Sequence, residues 1–371
     1  MKRLSIFSSN ANHPPLPRAA AAGALALALL VAARIVLFLI SDALFFAPES
    51  HAHKSYLVNE IAYRQSGHAH PKVIVMGTSR LGSLPLRHFA EQLGINESEV
   101  ANYSLAGNNF WRVLAFFRRN PEILADAECV VIDLLPYQLY IGPMFNEDDS
   151  LFLRLATLDE RLAVRSPSSR AIALADLAFP AWSERRTAPA WIWAASFVPL
   201  TEEQRYRKFS EAAGKSTTTF DLRPDVQSSG IDEHVWTGSD YAPPPYFSEV
   251  QVAAMHDLAT MMPPNCQLVL AWLPVERNFA RALDDDASLS KSYERFKGRI
   301  EQLGKANTRL IWWESMRELE TLEHSFVDAV HYSPEAMNCV TTALANAISD
   351  LRNDAHENTS IARTTDSFPA S

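Results

Sequence analysis

Short, continuous apolar runs recur along the second part of the chain, each about as long as a buried β-strand. They are Val73–Met76, a run ending at Ser104, Val130–Leu135, Cys266–Leu273 and Arg309–Trp313. Continuous apolar runs of this length are typical of strands that are buried on both faces, as in parallel sheets. Helical patterns follow the first two runs, as over Phe110–Arg119, and a charged helical pattern separates the last two. This alternation predicts an α/β fold with a doubly wound, five-stranded parallel sheet.

The longest apolar run lies near the N-terminus and extends from Ala19 to about Phe46. A helix needs about 20 apolar residues to cross a bilayer, so this run predicts a transmembrane signal anchor over residues 19–46. Basic residues precede it and acidic residues follow it, namely Lys2, Arg3 and Arg18 before and Asp42 and Glu49 after. The positive-inside rule then places residues 1–18 in the cytoplasm and everything after about residue 47 outside. A cleaved signal peptide is the alternative, but the run exceeds the 7 to 15 residues of a signal-peptide core.

The rest of the chain divides into a predicted juxtamembrane linker (47–70), one enzyme-sized domain (71–352) and a disordered tail (353–371). Residues 142–248 form an insertion much longer than an ordinary strand-to-helix connection, which predicts a subdomain or a lid. The 371 residues are 47% hydrophobic and 21% charged, with a net charge of -9. This mildly acidic, globular composition offers no basic stripe for phosphates and disfavours nucleic acid as a partner. The three cysteines show no zinc-ligand spacing, so no metal is predicted.

A polar turn, Gly77-Thr78-Ser79-Arg80, directly follows the first strand. Gly77 permits a sharp exit, and Ser79 then lies at the carboxyl end of the strand, where open α/β sheets place their ligands. A helix that starts just after it would aim backbone N–H groups at a developing oxyanion. The turn therefore indicates Ser79 as a candidate nucleophile. The alternative is a non-catalytic loop, because turns of this composition are common after strands.

A carboxylate and an imidazole stand three residues apart near the C-terminus, at Asp328 and His331. On one loop, Asp328 can accept a hydrogen bond from one ring nitrogen while the other nitrogen faces a serine hydroxyl. Ser333 and Pro334 then predict the start of a helix that runs to about Leu351. The same spacing also suits a helix cap beside a surface histidine, or half of a metal site. Taken with the serine turn about 250 residues earlier, it predicts the base of a serine esterase.

These motifs resemble the ordered sequence blocks of the SGNH (GDSL-like) hydrolases over roughly residues 70–350. The serine turn stands in the place of the nucleophile block, and the Asp-x-x-His motif in that of the last block, which carries the acid and base of the triad. The resemblance implies a flavodoxin-like sheet and catalytic roles for Ser79, Asp328 and His331.

Between these motifs, Asn102–Asn108 resembles the second block of that family, whose glycine donates its backbone N–H to the oxyanion hole. This likeness implies an oxyanion hole formed by the backbone N–H groups of Ser79 and Gly107, with the side-chain amide of Asn108 or Asn109 as an addition. Arg80, beside the nucleophile, is a candidate for binding a substrate carboxylate or phosphate and equally a candidate partner of Asp133.

The third strand departs from the family pattern. Typical members carry Gly-x-Asn-Asp there, and the asparagine completes the oxyanion hole. This chain has no such asparagine, and Gln138 in Pro136-Tyr137-Gln138 is a stand-in at most. That ending is more similar to the membrane-anchored envelope branch of the superfamily, which includes the D-alanyl transfer protein of teichoic acid synthesis and the alginate O-acetylation proteins. Many of those resemble partners of membrane-bound O-acyltransferases.

Two functional hypotheses follow from these observations. The first is a membrane-anchored serine esterase or O-acyltransferase that needs no cofactor and transfers an acyl group, inferred to be acetyl, to or from a cell-envelope polysaccharide. The resemblance implies a bacterial cytoplasmic-membrane protein whose catalytic domain is periplasmic or extracellular. The second is a weakly active or inactive scaffold subunit of an envelope polysaccharide modification machine, supported by the missing asparagine.

Overall fold

The computed structural model describes residues 16–47, 51–67, 70–105, 107–140, 150–178, 188–213, 247–275, 287–303, 307–313, 326 and 331–365. Within these ranges the chain forms one sheet whose strands are β1 (Val73–Val75), β2 (Val100–Asn102), β3 (Cys129–Asp133), β4 (Gln267–Trp272) and β5 (Thr308–Trp312). All neighbouring strands pair in parallel, in the order β2-β1-β3-β4-β5. The predicted α/β class and five-stranded parallel sheet are therefore confirmed, and the order is compatible with a doubly wound fold.

Helices precede, connect and follow the strands. They are α1 (Leu16–Phe45), α2 (His51–Gln65), α3 (Ser79–Gly82), α4 (Leu86–Leu93), α5 (Phe110–Arg119), α6 (Ser150–Leu155), α7 (Leu158–Ala163), α8 (Pro167–Ala178), α9 (Ala188–Ala195), α10 (Glu202–Ala213), α11 (Glu249–Met261), α12 (Ala287–Glu301) and α13 (Pro334–Thr365). Short 3-10 turns lie at Glu97–Glu99, Pro121–Leu124 and Pro136–Leu139.

Both faces of the sheet carry a hydrophobic core, because side chains alternate across a strand. Val73 and Val75 of β1 pack with residues of α4 and α13, including Phe89 and Val340. Ile74, between them, packs on the opposite face with residues of α2, α5 and α11. Helices on both faces bury β1 and β3 completely, which explains why these strands appear in the sequence as nearly unbroken apolar runs.

The segment predicted as a juxtamembrane linker is instead part of the core. Its helix α2 buries Tyr56, Leu57 and Ile61 in the same cluster as Ile74. Glu60 of α2 is fully buried and accepts a hydrogen bond from Arg119 Nε at 2.6 Å. The linker prediction did not anticipate this packing, in which the apolar residues of α2, at helical spacing, face the core.

Helix α1 is 30 residues long and leads directly into the domain. Between Leu25 and Val36 its large apolar side chains are at least half exposed, namely Leu25, Leu27, Leu29, Leu30, Val31, Ile35 and Val36. At its C-terminal end, Phe46 is buried and its carbonyl accepts a hydrogen bond from Trp193 Nε1 at 2.8 Å. A search restricted to the described residues finds no helix with both the length and the apolarity of a membrane crossing.

The insertion over residues 142–248 contains helices α6 to α10 in its described ranges. Trp193 is the tryptophan of the insertion whose side chain is described, and it packs against the cores around Leu44 and Phe197. This tryptophan thus contributes to packing between the insertion and the end of α1. The C-terminal helix α13 extends to Thr365, past the predicted end at Leu351, because no glycine or proline follows its first turn to end it.

Candidate active site

Ser79 and His331 meet at the carboxyl edge of the sheet. Ser79 is the first residue of α3, which begins after β1, and His331 lies just before α13. The distance from Ser79 Oγ to His331 Nε2 is 2.7 Å, a normal length for a hydrogen bond that involves a hydroxyl group. Both residues are half-buried and therefore reachable from solvent. The structure thus brings together the predicted nucleophile and the predicted base across 252 residues of sequence.

A buried carboxylate accepts hydrogen bonds from the serine turn. Asp133, the last residue of β3, is fully buried and accepts hydrogen bonds from the Thr78 backbone N–H at 2.5 Å and from Thr78 Oγ1 at 2.7 Å. The Thr78 hydroxyl also accepts from the Arg80 backbone N–H and caps α3. Burial raises the pKa of Asp133 above its usual value, while the Arg80 guanidinium and the Thr78 hydrogen bonds act in the opposite direction.

Gly77 is required at its position by close packing. A Cβ atom added there would lie 2.7 Å from Leu81 Cβ and 3.0 Å from Asp133 Oδ1. The sequence predicted a glycine for a sharp exit from the strand. In the structure, the close approach of Leu81 and Asp133 to the backbone explains the glycine.

We expect Gly77→Ala to destabilise the protein by about 1–3 kcal/mol, because overpacking forces neighbouring atoms to move. The matched control is Gly298→Ala in α12, where an added Cβ meets nothing within 4 Å. The control is expected to leave stability unchanged or to increase it by about 0.5–1 kcal/mol, since alanine favours a helix over glycine. Thermal unfolding of both variants measures this, and equal unfolding temperatures would argue against close packing at Gly77.

Arg80 does not face the solvent-accessible side of the turn. Its side chain is buried, and its guanidinium donates to Leu134 O at 3.3 Å, Pro274 O at 3.0 Å and Tyr332 Oη at 2.7 Å. Arg80 Nε lies 3.9 Å from Asp133 Oδ2. Of the two roles that the sequence left open, the structure shows the pairing with Asp133, and the predicted role in substrate binding does not fit this burial.

Residues 103–105, directly after β2, contact the serine turn. The backbone N–H of Leu105 donates to Gly77 O at 3.0 Å, and the Gly77 N–H donates to Ser104 Oγ at 3.0 Å. Gly107 adopts a positive φ of 63°, which glycine tolerates at little cost. Arg112 Nη1 donates to Gly107 O at 2.6 Å and fixes the peptide bond that follows. Gly107 therefore lies two residues after Leu105, which contacts Gly77, the residue two positions before Ser79.

The side-chain amides of Asn108 and Gln138 donate to backbone carbonyls and are not available as oxyanion donors. Asn108 is buried, and its Nδ2 donates to Met76 O at 2.9 Å and to Gly77 O at 3.2 Å. Gln138 is also buried, and its Nε2 donates to Asp133 O at 2.9 Å while its Oε1 accepts from the Leu135 N–H at 2.8 Å. Both amides satisfy backbone groups at strand ends, so the predicted role of Asn108 in the oxyanion hole and that of Gln138 as a stand-in for the missing asparagine at the substrate site do not fit the structure. Asn109 caps α5 by accepting from the Arg112 N–H.

Asp328, the predicted third member of the triad, lies outside the described residues, so its role stays a prediction. Tyr332 and Thr78 were missed as contributors to the site. Each is the immediate neighbour of a predicted catalytic residue, and both are buried polar groups. An acidic residue at the end of an apolar strand, such as Asp133, was the available signal, because a buried carboxylate requires donors nearby. The described residues contain no group of three His, Cys, Asp or Glu side chains that could hold a metal ion.

Comparison with the models of known protein families found no match to this chain, and a search of curated proteins found none either. The site is therefore interpreted from its geometry and from the order of its motifs. A serine hydroxyl that is hydrogen-bonded to an imidazole at the carboxyl edge of a parallel sheet is a candidate active site for nucleophilic acyl transfer.

Proposed function

We propose that this protein is a membrane-anchored, extracytoplasmic serine esterase or O-acyltransferase that acts on a cell-envelope polysaccharide, with acetyl as the transferred group. The observation that carries the proposal is the 2.7 Å contact between Ser79 Oγ and His331 Nε2. The resemblance of the motifs to SGNH hydrolases, in the same order along the chain, supports the choice of acyl ester chemistry.

In the proposed reaction, Ser79 Oγ attacks the carbonyl carbon of the ester, and His331 Nε2 takes the hydroxyl proton. The tetrahedral intermediate collapses when the ester's alkoxy group leaves with the proton returned by His331, which forms an acyl-Ser79 ester. Water, or a glycan hydroxyl in a transferase, then attacks the acyl carbon while His331 takes its proton. Collapse of this second intermediate breaks the bond to Ser79 Oγ, which recovers the proton from His331, and releases the free acid or the new glycan ester. Asp328 is proposed to orient the ring and to stabilise the imidazolium.

The oxyanion hole is proposed to use backbone donors. The N–H of Ser79 lies at the start of α3, and the N–H of Gly107 lies on the loop that contacts Gly77. Backbone donors of this kind require no side-chain ordering when charge develops on the carbonyl oxygen. This arrangement does not need the amides of Asn108 and Gln138, which are committed to the fold.

The location and partners in this proposal rest on the sequence. The apolar run over residues 19–46, the basic residues before it and the exposed apolar side chains of α1 support a single-pass anchor with the domain outside the cytoplasm. A membrane-bound O-acyltransferase is the proposed partner, in line with the envelope branch that the chain resembles. An envelope glycan is the proposed acceptor or substrate.

One observation favours a second candidate function. The amides of Asn108 and Gln138 donate to backbone carbonyls, so neither replaces the asparagine that SGNH enzymes use in the oxyanion hole. The protein would then be a weakly active or inactive scaffold of an envelope polysaccharide modification machine, with the same fold and anchor.

Incubation of the full-length protein in detergent with acetylated envelope polysaccharides discriminates between these functions. The proposal predicts release of acetate in water and formation of a new acetyl ester when an unacetylated glycan is supplied as acceptor. Loss of both products in Ser79→Ala supports the enzyme. A well-folded wild-type protein without turnover of acetylated glycans or simple acetyl esters would support the scaffold.

A further inference from the structure

The residue after the nucleophile touches the residue after the base. Arg80 follows Ser79, Tyr332 follows His331, and Arg80 Nη2 donates to Tyr332 Oη at 2.7 Å. The Arg80 guanidinium carbon also lies 5.7 Å from the centroid of the Tyr332 ring. The two segments that carry the proposed catalytic pair are thus in contact at two points, the Ser79–His331 pair and the more deeply buried Arg80–Tyr332 pair.

This second junction is fixed to the sheet. The Pro274 carbonyl, just past β4, accepts from Tyr332 Oη at 2.6 Å and from Arg80 Nη2 at 3.0 Å. The Leu134 carbonyl, just past β3, accepts from Arg80 Nη1 at 3.3 Å. One guanidinium therefore connects the ends of two strands to the start of α13. The planar, multidentate geometry of arginine allows this, whereas a lysine ammonium has no such fork.

The same guanidinium neighbours the carboxylate that holds the serine turn. Arg80 Nε lies 3.9 Å from Asp133 Oδ2, and Asp133 accepts both donors of Thr78. Neither the Arg80 nor the Asp133 side chain is exposed to solvent. Because taking two charges out of water carries a desolvation penalty that can exceed their attraction, stability alone is a weak reason for this pair. Its geometry instead fixes the turn that carries Ser79 relative to the segment that carries His331.

We propose that Arg80 and Tyr332 are positioning residues that hold Ser79 Oγ and His331 Nε2 at reacting distance. This inference rests on the proposed function and deepens it. Arg80 and Tyr332 are 1% and 2% exposed, so they act through Ser79 and His331 and not by contact with substrate. A misplacement of about 1 Å between reacting groups can lower a rate by about 100-fold, which sets the expected scale of the effect.

The test compares Tyr332→Phe with Tyr140→Phe in the full-length protein. Each substitution removes one buried tyrosine hydroxyl that donates to a backbone carbonyl, Pro274 O for Tyr332 and Ser292 O for Tyr140. Inactivation by a fluorophosphonate is followed as a function of probe concentration, which separates the maximal rate constant of labelling from the concentration for half-maximal rate. Thermal unfolding reports the stability of both variants.

We expect Tyr332→Phe to lower the maximal labelling rate about 10- to 100-fold and to leave the half-saturating probe concentration unchanged, since a displaced pair reacts slowly with a probe that still binds. Tyr140→Phe is expected to label like the wild type. If the role of Tyr332 is purely structural, both variants lose a similar amount of unfolding temperature. The labelling rate per folded molecule then equals that of the wild type in both. Equal labelling rates for Tyr332→Phe and Tyr140→Phe would overturn the inference.

A second readout separates this inference from the proposed function. The imidazole nitrogen resonances of His331, assigned with His331→Ala in protein labelled with nitrogen-15 at histidine, report the hydrogen bond to Ser79. We expect Tyr332→Phe to shift them toward the values of a free imidazole and Tyr140→Phe to leave them in place. If the wild type does not react with the fluorophosphonate but Tyr332→Phe shifts these resonances, the proposed function is rejected and the positioning role is supported. If the wild type does not react and the resonances do not change, both are rejected.

Discussion

Ser79→Ala is expected to lower the kcat/KM for hydrolysis of an acetyl ester by about 10⁴- to 10⁶-fold, because the nucleophile of a triad acts as a unit with its base. His331→Ala is expected to cause a loss of similar size, since an unassisted serine hydroxyl is a weak nucleophile at neutral pH. Hydrolysis of p-nitrophenyl acetate by the purified full-length protein measures both effects.

The controls for this prediction are a serine and a histidine of the same domain that lie outside the proposed pair. Ser83 is exposed at the end of α3, and His88 of α4 contacts Thr342 through Nε2 at 3.0 Å. Ser83→Ala and His88→Ala are expected to retain activity within a few-fold. If Ser79→Ala keeps wild-type turnover, or if Ser83→Ala loses as much, Ser79 is not the nucleophile.

Asp133→Leu is expected to destabilise the protein by about 3–5 kcal/mol, because it leaves the buried Arg80 guanidinium without its carboxylate. The substitution also removes the acceptor of two Thr78 hydrogen bonds. Thermal unfolding followed by circular dichroism measures the loss. An unfolding temperature equal to that of the wild type would show that the pair contributes nothing.

The double variant Asp133→Leu with Arg80→Met tests the cause of that loss. Replacing both ions by apolar groups removes the uncompensated charge, and such replacements of buried ion pairs are often neutral or stabilising. We therefore expect the double variant to recover a large part of the stability that Asp133→Leu loses. If the second substitution adds its own loss, the ion pair is not the source of the effect.

The sheet was predictable because the apolar residues of each strand directly indicate that the strand is buried. Val73–Val75 and Cys129–Asp133 are apolar almost without interruption, and the structure buries every residue of both strands. Helix α2 was not predictable by the same means. Its apolar residues are interrupted by polar ones, and the burial of Glu60 depends on Arg119, which is distant in sequence.

The candidate site was predicted in part. The contact between Ser79 and His331 followed from the order of two motifs, since the carboxyl ends of parallel strands meet at one edge of a sheet. The roles of Arg80, Asn108 and Gln138 did not follow, because a polar side chain beside a nucleophile has the same local sequence whether it faces substrate or the interior. Contacts across the sheet, such as that of Arg80 with Pro274, decide which it is.

The measurement that tests the account most directly is labelling of the full-length protein with a fluorophosphonate, followed by mass spectrometry to locate the modified residue. The account predicts one adduct on Ser79 in the wild type, and none in Ser79→Ala or His331→Ala at the same probe concentration. A folded wild-type protein that forms no adduct, or an adduct on another serine that persists in Ser79→Ala, would contradict it.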